Sequence, residues 1–285
     1  MHLDYCDKKE ATAVSHHLEY LSDYYSNRIF LLDRRGDIDQ IIQRLKTISY
    51  KEKAGKIIAY AREQETSAFK KHGFVREGTI SGYFRGEDAF CYSYFSDPCR
   101  SFSARIIKEE RIIREALTAV CKDLPVSGFK DYVIRTASES DAEALANFLG
   151  DNFTTYPTPV HHADYIKAII KEKALFKIAL HHGQIICAAS ADRDSGFLNA
   201  EITDCITHPE YRGKGLSSYL IHLLEQDLQA AGYISLYSLA RAISPAINRA
   251  LRRNAYEYGG RLINNCCIMG NIEDMNIWHK TIHNN

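Results

Sequence analysis

Apolar and polar residues follow two different periods along the second half of the chain. Alternation with a period of two predicts short strands, and an apolar repeat every three to four residues predicts helices. The stretch SESDAEALANFLG also has serine and acidic residues ahead of its apolar repeat, which indicates a capped helix start. In chain order we predict a strand at 131–137, helices at 138–150 and 166–173, a hairpin of strands at 176–180 and 185–191, and a third strand at 199–207.

The third predicted strand runs directly into HPEYRGKGLSSYLIHLLEQDLQAAGY, residues 208–233. Leucines at helical spacing follow the glycines of this segment, so we predict a helix that begins at about Leu216. Ser244-Pro245 predicts the start of the last helix, because serine is a common cap and proline fits the first helical position. The succession of strands and helices is typical of a mixed α/β domain.

Two short strings in different halves of the chain resemble each other. Residues 68–74 read AFKKHGF and residues 250–256 read ALRRNAY. Each combines a basic pair, a small residue and an aromatic, which predicts a helix end followed by a strand. Glycines follow both strings, at Gly78 in the first half and at Gly259 and Gly260 in the second. The chain is therefore expected to contain two related halves.

The length of 285 residues suits two domains of about 100–200 residues each. A predicted amphipathic helix at 103–122 is followed by LPVSG, a proline and glycine segment that separates elements. We place the boundary at this segment, which gives domains 1–128 and 129–285. Only the second domain carries a glycine loop suited to a cofactor.

Charge and composition exclude several classes of protein. Lysine plus arginine balances aspartate plus glutamate, 36 against 36, so no overall field attracts nucleic acid or an anionic membrane. The charged N-terminus does not resemble a signal peptide, and no uncharged apolar run approaches the ~20 residues of a membrane span. We therefore expect a cytoplasmic protein with a small-molecule partner.

The cysteines and histidines do not indicate disulfides or a metal. The eight cysteines contain no CxxC pair, and the chain lacks a secretion signal, so reduced thiols are expected. Histidines occur as adjacent pairs at 16–17, 161–162 and 181–182, and neighbours in a strand or helix point in different directions. We predict no metal site.

The glycine segment before the predicted helix at Leu216 is suited to binding phosphate. The N-terminus of a helix presents backbone N–H groups and the positive end of the helix dipole. The glycines of Arg212-Gly213-Lys214-Gly215 allow the backbone to approach an anion closely. The spacing is neither that of a P-loop nor that of a dinucleotide-binding fold.

This segment instead resembles the pyrophosphate loop of the GNAT acetyltransferases, whose Arg/Gln-x-x-Gly-x-Gly/Ala pattern falls on Arg212, Gly215 and Ser217. Ser217 stands where glycine or alanine is usual. The resemblance implies acetyl-CoA as co-substrate, and a mixed, mostly antiparallel sheet flanked by helices. Its implied cofactor-binding residues are Ile206 and Thr207 for the pantetheine arm, and Arg212, Gly213, Lys214, Gly215, Leu216 and Ser217 for the pyrophosphate.

The same resemblance bears on catalysis. An amine acceptor must lose a proton before it attacks a thioester, so a positioned carboxylate is useful. Glu201 occupies the position at which histone-type GNAT enzymes carry their general base, although a salt-bridged strand glutamate is an alternative. Leu251 stands where many GNAT enzymes have a tyrosine acid, so no acid is assigned. Cys205 could be a nucleophile, but the family transfers acetyl groups directly and a structural thiol is favoured.

Asp204 lies on the same predicted strand as Glu201. Strict alternation would place the two carboxylates on opposite faces of the sheet, whereas a bulge would bring them together. Asp204 could bind a cationic substrate. Both arrangements stay open at this point.

Further segments along nearly the whole chain resemble one group, the β-lysine N-acetyltransferases. In the first half these are NRIFL (27–31), KIIA (56–59), EGTISGYFRGEDAF (77–90) and Arg100, and in the second half Tyr156-Pro157, NAEITDCITHPEYRGKGL (199–216), Asn264-Asn265 and 270–278. In that group the N-terminal domain looks like a degenerate GNAT-like half. The resemblance implies acetylation of the ε-amine of β-lysine, giving the osmolyte Nε-acetyl-β-lysine, with lysine 2,3-aminomutase supplying the substrate.

A site for β-lysine needs an anion for the second ammonium and a donor for the carboxylate. We expect Tyr156, Asp204 and Glu273 to line it, although Tyr156 could only pack its loop and Glu273 could only cap a turn. Two other functions stay open: a GNAT enzyme for a polyamine, lysine or protein lysine, and a non-catalytic module that senses acetyl-CoA. The first domain has no comparable glycine loop, so it is the candidate for a scaffold or a homodimer surface.

Overall fold

The computed structural model describes residues 6–119 and 129–282, and within them contains thirteen strands and seven α-helices. The strands are β1 (Cys6–Thr12), β2 (His16–Asp23), β3 (Arg28–Gly36), β4 (Lys56–Ala61), β5 (Val75–Phe84), β6 (Glu87–Phe95), β7 (Val133–Thr136), β8 (Ala174–His181), β9 (Gln184–Asp194), β10 (Asn199–Thr207), β11 (Ser235–Arg241), β12 (Glu257–Ile268) and β13 (Asn271–Thr281). The helices are α1 (Ile38–Glu52), α2 (Thr66–Lys71), α3 (Ile106–Leu117), α4 (Ala142–Asn152), α5 (Ala163–Glu172), α6 (Leu216–Ala230) and α7 (Pro245–Arg253). Of these helices, none is long and apolar enough to cross a membrane.

All thirteen strands form one continuous sheet in the order β1-β2-β3-β4-β6-β5-β12-β13-β11-β10-β9-β8-β7. Ten of the neighbouring pairs are antiparallel, and only β3–β4 and β10–β11 are parallel. The predicted mixed, mostly antiparallel α/β fold is confirmed. The sheet runs through both halves of the chain without a break.

The two halves of the sheet have the same strand order. Read from its outer edge, the first half runs β1-β2-β3-β4-β6-β5, and the second, after β7, runs β8-β9-β10-β11-β13-β12. In each half a helix, α1 or α6, connects the parallel pair, and a shorter helix, α2 or α7, leads into the final hairpin. β7, α4 and α5 have no counterparts among the described residues of the first half. The halves meet where β5 lies beside β12.

The two similar strings end their helices in the same way. In both, the N–H of the aromatic residue donates to the carbonyl five positions back, over 3.0 Å in the first half and 3.1 Å in the second. The residue before the aromatic, Gly73 or Ala255, has a left-handed backbone with φ of 80° or 61°. Each chain then enters a strand, β5 or β12, as the sequence predicts. The short resemblance therefore marks equivalent helix ends.

Glycines allow the two halves to approach at their junction. β5 and β12 are paired through Gly78 and Gly260 alone. A Cβ atom on Gly78 would lie 2.6 Å from the carbonyl oxygen of Gly259, and one on Gly260 would lie 2.3 Å from that of Glu77. Side chains at these positions would separate the backbones, so the glycines noted in the sequence are required by contact between the halves.

Three basic side chains of the first half hold an irregular segment of β12. The pairing of β12 with β13 shifts between Leu262 and Cys266, so residues 263–265 lie outside the regular ladder. Their carbonyl oxygens accept hydrogen bonds from the first half, Ile263 from Lys56 Nζ at 2.7 Å, Asn264 from Arg100 and Asn265 from Arg28 Nη1 at 3.0 Å. We call these three residues the basic clamp.

The clamp is completed by Glu77 of β5. Lys56 is fully buried and forms an ion pair with Glu77 over 2.8 Å. The other oxygen of Glu77 accepts the N–H of Ile263 at 2.7 Å. Burial lowers the pKa of Lys56 to about 8, although the charge of Glu77 raises it. The clamp thus satisfies buried backbone groups of one half with side chains of the other.

Helix α3 follows the last strand of the first half but packs on the second. Ile113 and Ala116 belong to the core that α6 forms with the sheet. The described helix is shorter than the predicted one at 103–122, whose final residues lie outside the described part of the chain. Residue 128, where we predict the domain boundary, also lies outside it, so that boundary stays a prediction.

Gly78→Ala is expected to destabilise the fold by about 3 kcal/mol, because the added methyl overlaps the neighbouring backbone and the side chain of Ile277. Gly86→Ala is the matched control. Gly86 lies in the turn of the β5–β6 hairpin, has open space around it and a φ of 103°, so only backbone strain of about 1–2 kcal/mol is expected. Urea unfolding curves of the two variants test this. Equal stability of the variants would show that the close contact at the junction costs nothing.

Candidate active site

The central parallel strands of the second half, β10 and β11, are joined only at their start. Residues 199–201 of β10 pair with residues 235–237 of β11. Beyond Glu201, β10 pairs only with β9, whereas β11 continues beside β13 as far as Arg241. The two strands therefore diverge after Glu201 and leave a cleft between them.

Asp204 lies in a bulge of β10. Between Thr203 and Ile206, β10 has one residue more than β9, and Asp204 adopts a φ of 47°. Its buried carboxylate accepts hydrogen bonds from Ser190 Oγ at 2.6 Å and from the hydroxyl of Tyr156. Burial raises the pKa of Asp204 to about 6, and the bond from Ser190 opposes this shift.

The bulge settles which face Asp204 occupies. The charges of both Asp204 and Glu201 raise the pKa of Tyr156, after burial, which is the larger cause. Ser190, which donates to Asp204, lies two residues from Asp192 on β9, and Asp192 is the register neighbour of Glu201. Alternate residues of a strand share a face, so the Asp204 and Glu201 carboxylates lie on the same face of the sheet. Of the two arrangements that the sequence left open, the bulged one is correct.

Glu201 lies in a row of polar side chains across the sheet. Its register neighbours are Asp192 on β9 and Tyr237 on β11, and such neighbours share a face. The Tyr237 hydroxyl donates a hydrogen bond to the Glu201 carboxylate. Burial and, next, the charge of Asp192 raise the pKa of Glu201 to about 7, although the Tyr237 bond lowers it. A carboxyl with this pKa can exchange a proton with an amine near neutral pH.

The first half contributes aromatic side chains to this row. The Tyr83 hydroxyl is hydrogen-bonded to Tyr237, and the two rings lie 5.4 Å apart. The ring of Tyr60 lies 5.3 Å from that of Tyr83, and the ring of Phe30 lies 5.0 Å from that of Tyr60. We call Phe30, Tyr60, Tyr83 and Tyr237 the aromatic row. Burial raises the pKa of each of its tyrosines, so the hydroxyls stay protonated.

Sequence reasoning missed the aromatic row. Phe30 and Tyr83 lie in segments that carry the resemblance to the β-lysine N-acetyltransferases, but nothing local to either segment indicates a contact with Tyr237. The nearby strings of hydrophobic residues predict strands only. A comparison of equivalent strands in the two halves is the one signal that could have placed β5 beside the second half.

The other predicted substrate residues differ in their surroundings. Tyr156 is directed at the bulge, with its hydroxyl 3.4 Å from Thr203 Oγ1. Glu273 is buried and accepts two hydrogen bonds from Arg241, at 2.6 and 2.8 Å, and one from Arg105 at 3.2 Å. A substrate ammonium would compete with two guanidinium groups for Glu273. Its role in substrate binding stays a prediction.

The predicted pyrophosphate loop leads into the N-terminus of α6. Gly215 is the N-cap residue of α6, with a φ of 86°, and none of the described side chains caps the N–H groups at the start of this helix. Gly213 also has a left-handed backbone, and Arg212 and Lys214 are exposed beside it. Free N–H groups at a helix start, together with two cations, form a site suited to a diphosphate.

The end of β10 is tied to this helix start. Thr207 Oγ1 and Ser217 Oγ lie 2.7 Å apart, and Arg212 Nε donates to the Thr207 carbonyl at 3.1 Å. Leu216 is buried in the core under α6, and Ile206 packs against the core under α4 and α5. Ser217 thus connects the two segments that we predict to hold the pantetheine arm and the pyrophosphate.

The equivalent helix of the first half is closed to an anion. α1 begins after Asp37, whose side chain accepts the N–H of Gln40 at 3.2 Å. A carboxylate therefore already lies at the positive end of this helix, where α6 has only a glycine. This difference gives a physical reason why the first half resembles the second in strand order but has no phosphate loop.

Two further residues considered from the sequence lie in the core. Leu251, a residue of α7, is fully buried in the core that also contains residues of α6. Its side chain has no proton to donate, so it supplies no acid. Burial strongly raises the pKa of Cys205, which keeps its thiol protonated and makes it a poor nucleophile. Both observations agree with direct transfer of the acetyl group.

The structure also locates the cysteines and one group of possible metal ligands. The seven cysteines within the described ranges are all free. One group of possible metal ligands, Glu10, His17 and Glu19, of which only Glu10 is exposed, has its ligand atoms within 4.8 Å of one another. Glu19 already pairs with Lys8 at 2.6 Å. No role for this group follows from the structure.

A cavity of about 310 Å³ adjoins the aromatic row on the side of the first half. Phe30, Tyr60 and Tyr83 line it together with Phe197 and Asp194. Glu201 is not among its lining residues. The cavity is therefore a space beside the aromatic row that does not reach the predicted general base.

Comparison with known proteins identifies the class of this fold and site. The acetyltransferase (GNAT) family model matches residues 142–253, from α4 through α7. The match includes the diverging strands, the bulge and the loop before α6. The second half is therefore an acetyltransferase domain of the GNAT type.

Relatives match nearly the whole chain. A β-lysine N(6)-acetyltransferase of Methanosarcina mazei is 36% identical over 88% of this chain and 100% of its own. The N-acetyltransferase YodP of Bacillus subtilis is 35% identical, over 91% and 94%, and a β-lysine N(6)-acetyltransferase of Methanococcus maripaludis is 29% identical, over 90% and 93%. The chain belongs to the GNAT acetyltransferase family, in the group that contains these β-lysine N(6)-acetyltransferases. It is an N-acetyltransferase that uses acetyl-CoA.

The helix start of α6 makes a prediction about coenzyme A binding. Ser217→Asp should weaken coenzyme A binding at least tenfold, which corresponds to a loss of roughly 1.4 kcal/mol of binding free energy. The aspartate carboxylate would occupy the anion site and repel a diphosphate. The same change should leave stability equal or higher, since an acidic side chain in the first turn favours the helix. Calorimetric titration with coenzyme A and thermal unfolding measure the two effects.

Ser217→Ala is the matched control, because it removes the hydrogen bond to Thr207 without adding charge. Unchanged affinity of Ser217→Asp would place the diphosphate elsewhere.

Proposed function

We propose that the protein transfers the acetyl group of acetyl-CoA to the ε-amine of β-lysine and releases Nε-acetyl-β-lysine. The position of Glu201 carries this proposal: a carboxylate with a raised pKa lies where β10 and β11 diverge, beside the predicted pantetheine segment. The names of two relatives that match both halves support the choice of amine.

Glu201 acts as the general base in this proposal. The ε-ammonium gives a proton to the Glu201 carboxylate, and the resulting amine attacks the thioester carbonyl of acetyl-CoA. The tetrahedral intermediate loses its second nitrogen proton to solvent, and its C–S bond breaks to expel the thiolate, which takes a proton from solvent. Glu201 then returns its own proton to solvent. The hydrogen bond from Tyr237 keeps the carboxylate oriented toward the cleft.

Acidic side chains near Glu201 suit a substrate with two ammonium groups. Asp192 and Asp204 both raise the pKa of Glu201, so their charges lie close to it. Lys173 pairs with Asp192 at 2.5 Å and partly offsets this charge. Asp204 and Tyr156 are the groups that we assign to the β-ammonium. This cluster favours a small cationic acceptor over a neutral one.

The wider role follows from the product. Nε-acetyl-β-lysine is neutral overall and highly polar, as a compatible solute must be. We propose this role for it, with lysine 2,3-aminomutase as the enzyme that supplies β-lysine.

The substrate is tested by thiol release from acetyl-CoA with β-lysine, α-lysine and spermidine at equal concentrations. We expect kcat/KM to be highest for β-lysine, because only it places an ammonium and a carboxylate at the spacing that the site is proposed to recognise. Mass spectrometry of the product identifies the acetylated nitrogen. Absence of turnover with every amine, in protein that still binds acetyl-CoA, would refute the proposed function.

The pH dependence tests the base. Glu201 must be deprotonated to accept a proton, so kcat/KM should rise with pH through an inflection near pH 7, the pKa of this carboxyl. Glu201→Gln should lower kcat by about 10²–10⁴ and remove this inflection, leaving only the ionisation of the amine.

Glu257→Gln, at an exposed position of β12, is the control and should keep the wild-type profile. A Glu201→Gln enzyme with the wild-type profile would assign the proton transfer to another group.

A further inference from the structure

One member of the basic clamp, Arg28, has an unused hydrogen-bond donor on a partly accessible side chain, whereas the unused Nε of Arg100 is buried. Lys56 is fully buried, and its ammonium is held by Glu77 and the Ile263 carbonyl. Arg100 donates from Nη1 to the carbonyls of residues 26 and 27 and from Nη2 to that of residue 264. Both residues are fixed to protein groups alone.

Arg28 is held along only part of its guanidinium. Nε donates to Asp23 at 2.8 Å, and Nη1 donates to the Asn265 carbonyl at 3.0 Å. Nη2 has no hydrogen-bond acceptor within the described ranges. The side chain keeps 16% of its surface accessible, against 0% for Lys56. An arginine fixed at Nε and Nη1, with Nη2 open, is preorganised to bind one more anion.

Arg28 lies on the same face of the sheet as the first ring of the aromatic row. Arg28 and Phe30 are two residues apart on β3, so their side chains share a face. From Phe30 the aromatic row continues through Tyr60 and Tyr83 to Tyr237, which bonds to Glu201. The row therefore extends from Arg28 in the first half to the catalytic carboxylate in the second.

The pKa values of two buried groups are affected by both Arg28 and Glu201. The charge of Arg28 lowers the pKa of Tyr60 and that of Glu201 raises it, each a smaller effect than burial. The thiol of Cys266 on β12 is affected in the same two directions by the same two residues. A cation and a carboxylate thus act on one shared region, beside Tyr60 and Cys266.

We propose that Nη2 of Arg28 binds the carboxylate of the acceptor amino acid, while the amine at the other end of its methylene chain reaches Glu201. This inference rests on the proposed function and adds the group that recognises the substrate's carboxylate. Asp23 holds the guanidinium at Nε, over 2.8 Å. Arg28 is thus a specificity residue that the N-terminal half supplies to a reaction catalysed by the second half.

The test compares β-lysine with its decarboxylated counterpart, 1,4-diaminopentane, which has the same two amines and no carboxylate. The wild type should prefer β-lysine. Arg28→Gln should lower kcat/KM for β-lysine by about 10–100-fold, the loss of one charge-assisted hydrogen bond, mainly through KM. Its kcat/KM for 1,4-diaminopentane should stay close to that of the wild type.

Arg28→Lys guards against a failure to fold, since it keeps the charge and can still donate to the Asn265 carbonyl. It should retain part of the preference for β-lysine. Arg100→Lys is the matched control: it alters a more deeply buried arginine that donates to the same segment of β12, and any effect should be equal for the two amines. Thermal unfolding of all three variants measures the effect of each change on stability, separately from its effect on kcat/KM.

Three outcomes overturn the inference. Equal losses for both amines in Arg28→Gln would show that Arg28 only holds the two halves together. A wild type that does not distinguish the amines would show that no group binds the carboxylate. Absence of turnover with either amine would refute the proposed function itself, and the inference with it.

Discussion

Three consecutive carbonyl groups of β12 need hydrogen-bond donors from outside their own strand pair. The rest of the structure depends on how this requirement is met. Residues 263–265 lie outside the regular pairing with β13, and their donors come from Lys56, Arg100 and Arg28 in the other half. If the halves separated, these carbonyls would lose their partners and Glu77 would lose a buried cation. Breaking one partner of a buried pair costs about 3–5 kcal/mol, so the halves are expected to unfold together.

This constraint also explains why the first half persists without a cofactor loop. Its strand order repeats that of the second half, but Asp37 closes the start of α1, whereas Gly215 leaves the start of α6 open. The first half keeps what the junction needs, namely Gly78 at the contact between β5 and β12 and the cations that hold β12. It also adds the rings of Phe30, Tyr60 and Tyr83 beside Tyr237. One chain can thus combine a single cofactor loop with a sheet that both halves share.

The electrostatics of the second half have the same origin as its geometry. The divergence of β10 and β11 and the bulge at Asp204 place two carboxyls on one face, under cover of tyrosines from both halves. Loss of hydration then raises the pKa of Glu201 to about 7 and that of Asp204 to about 6. A strand with regular alternation would have kept these groups apart and would not have formed a cluster of this kind.

The sequence alone determined the features that depend on neighbouring residues. The periods of the apolar residues predict the strands and helices of the second half, the glycines before Leu216 predict the anion-binding helix start, and the strings at 68–74 and 250–256 predict equivalent helix ends. Only the tertiary structure decided the contacts between distant segments: the bulge that turns Asp204 toward Glu201, the bond from Tyr83 to Tyr237, and the clamp on β12. The last two depend on groups about 150–240 positions apart in the chain, such as Arg28 and Asn265. Local periodicity carries no information about such contacts, because they are fixed by which strands become neighbours in the sheet.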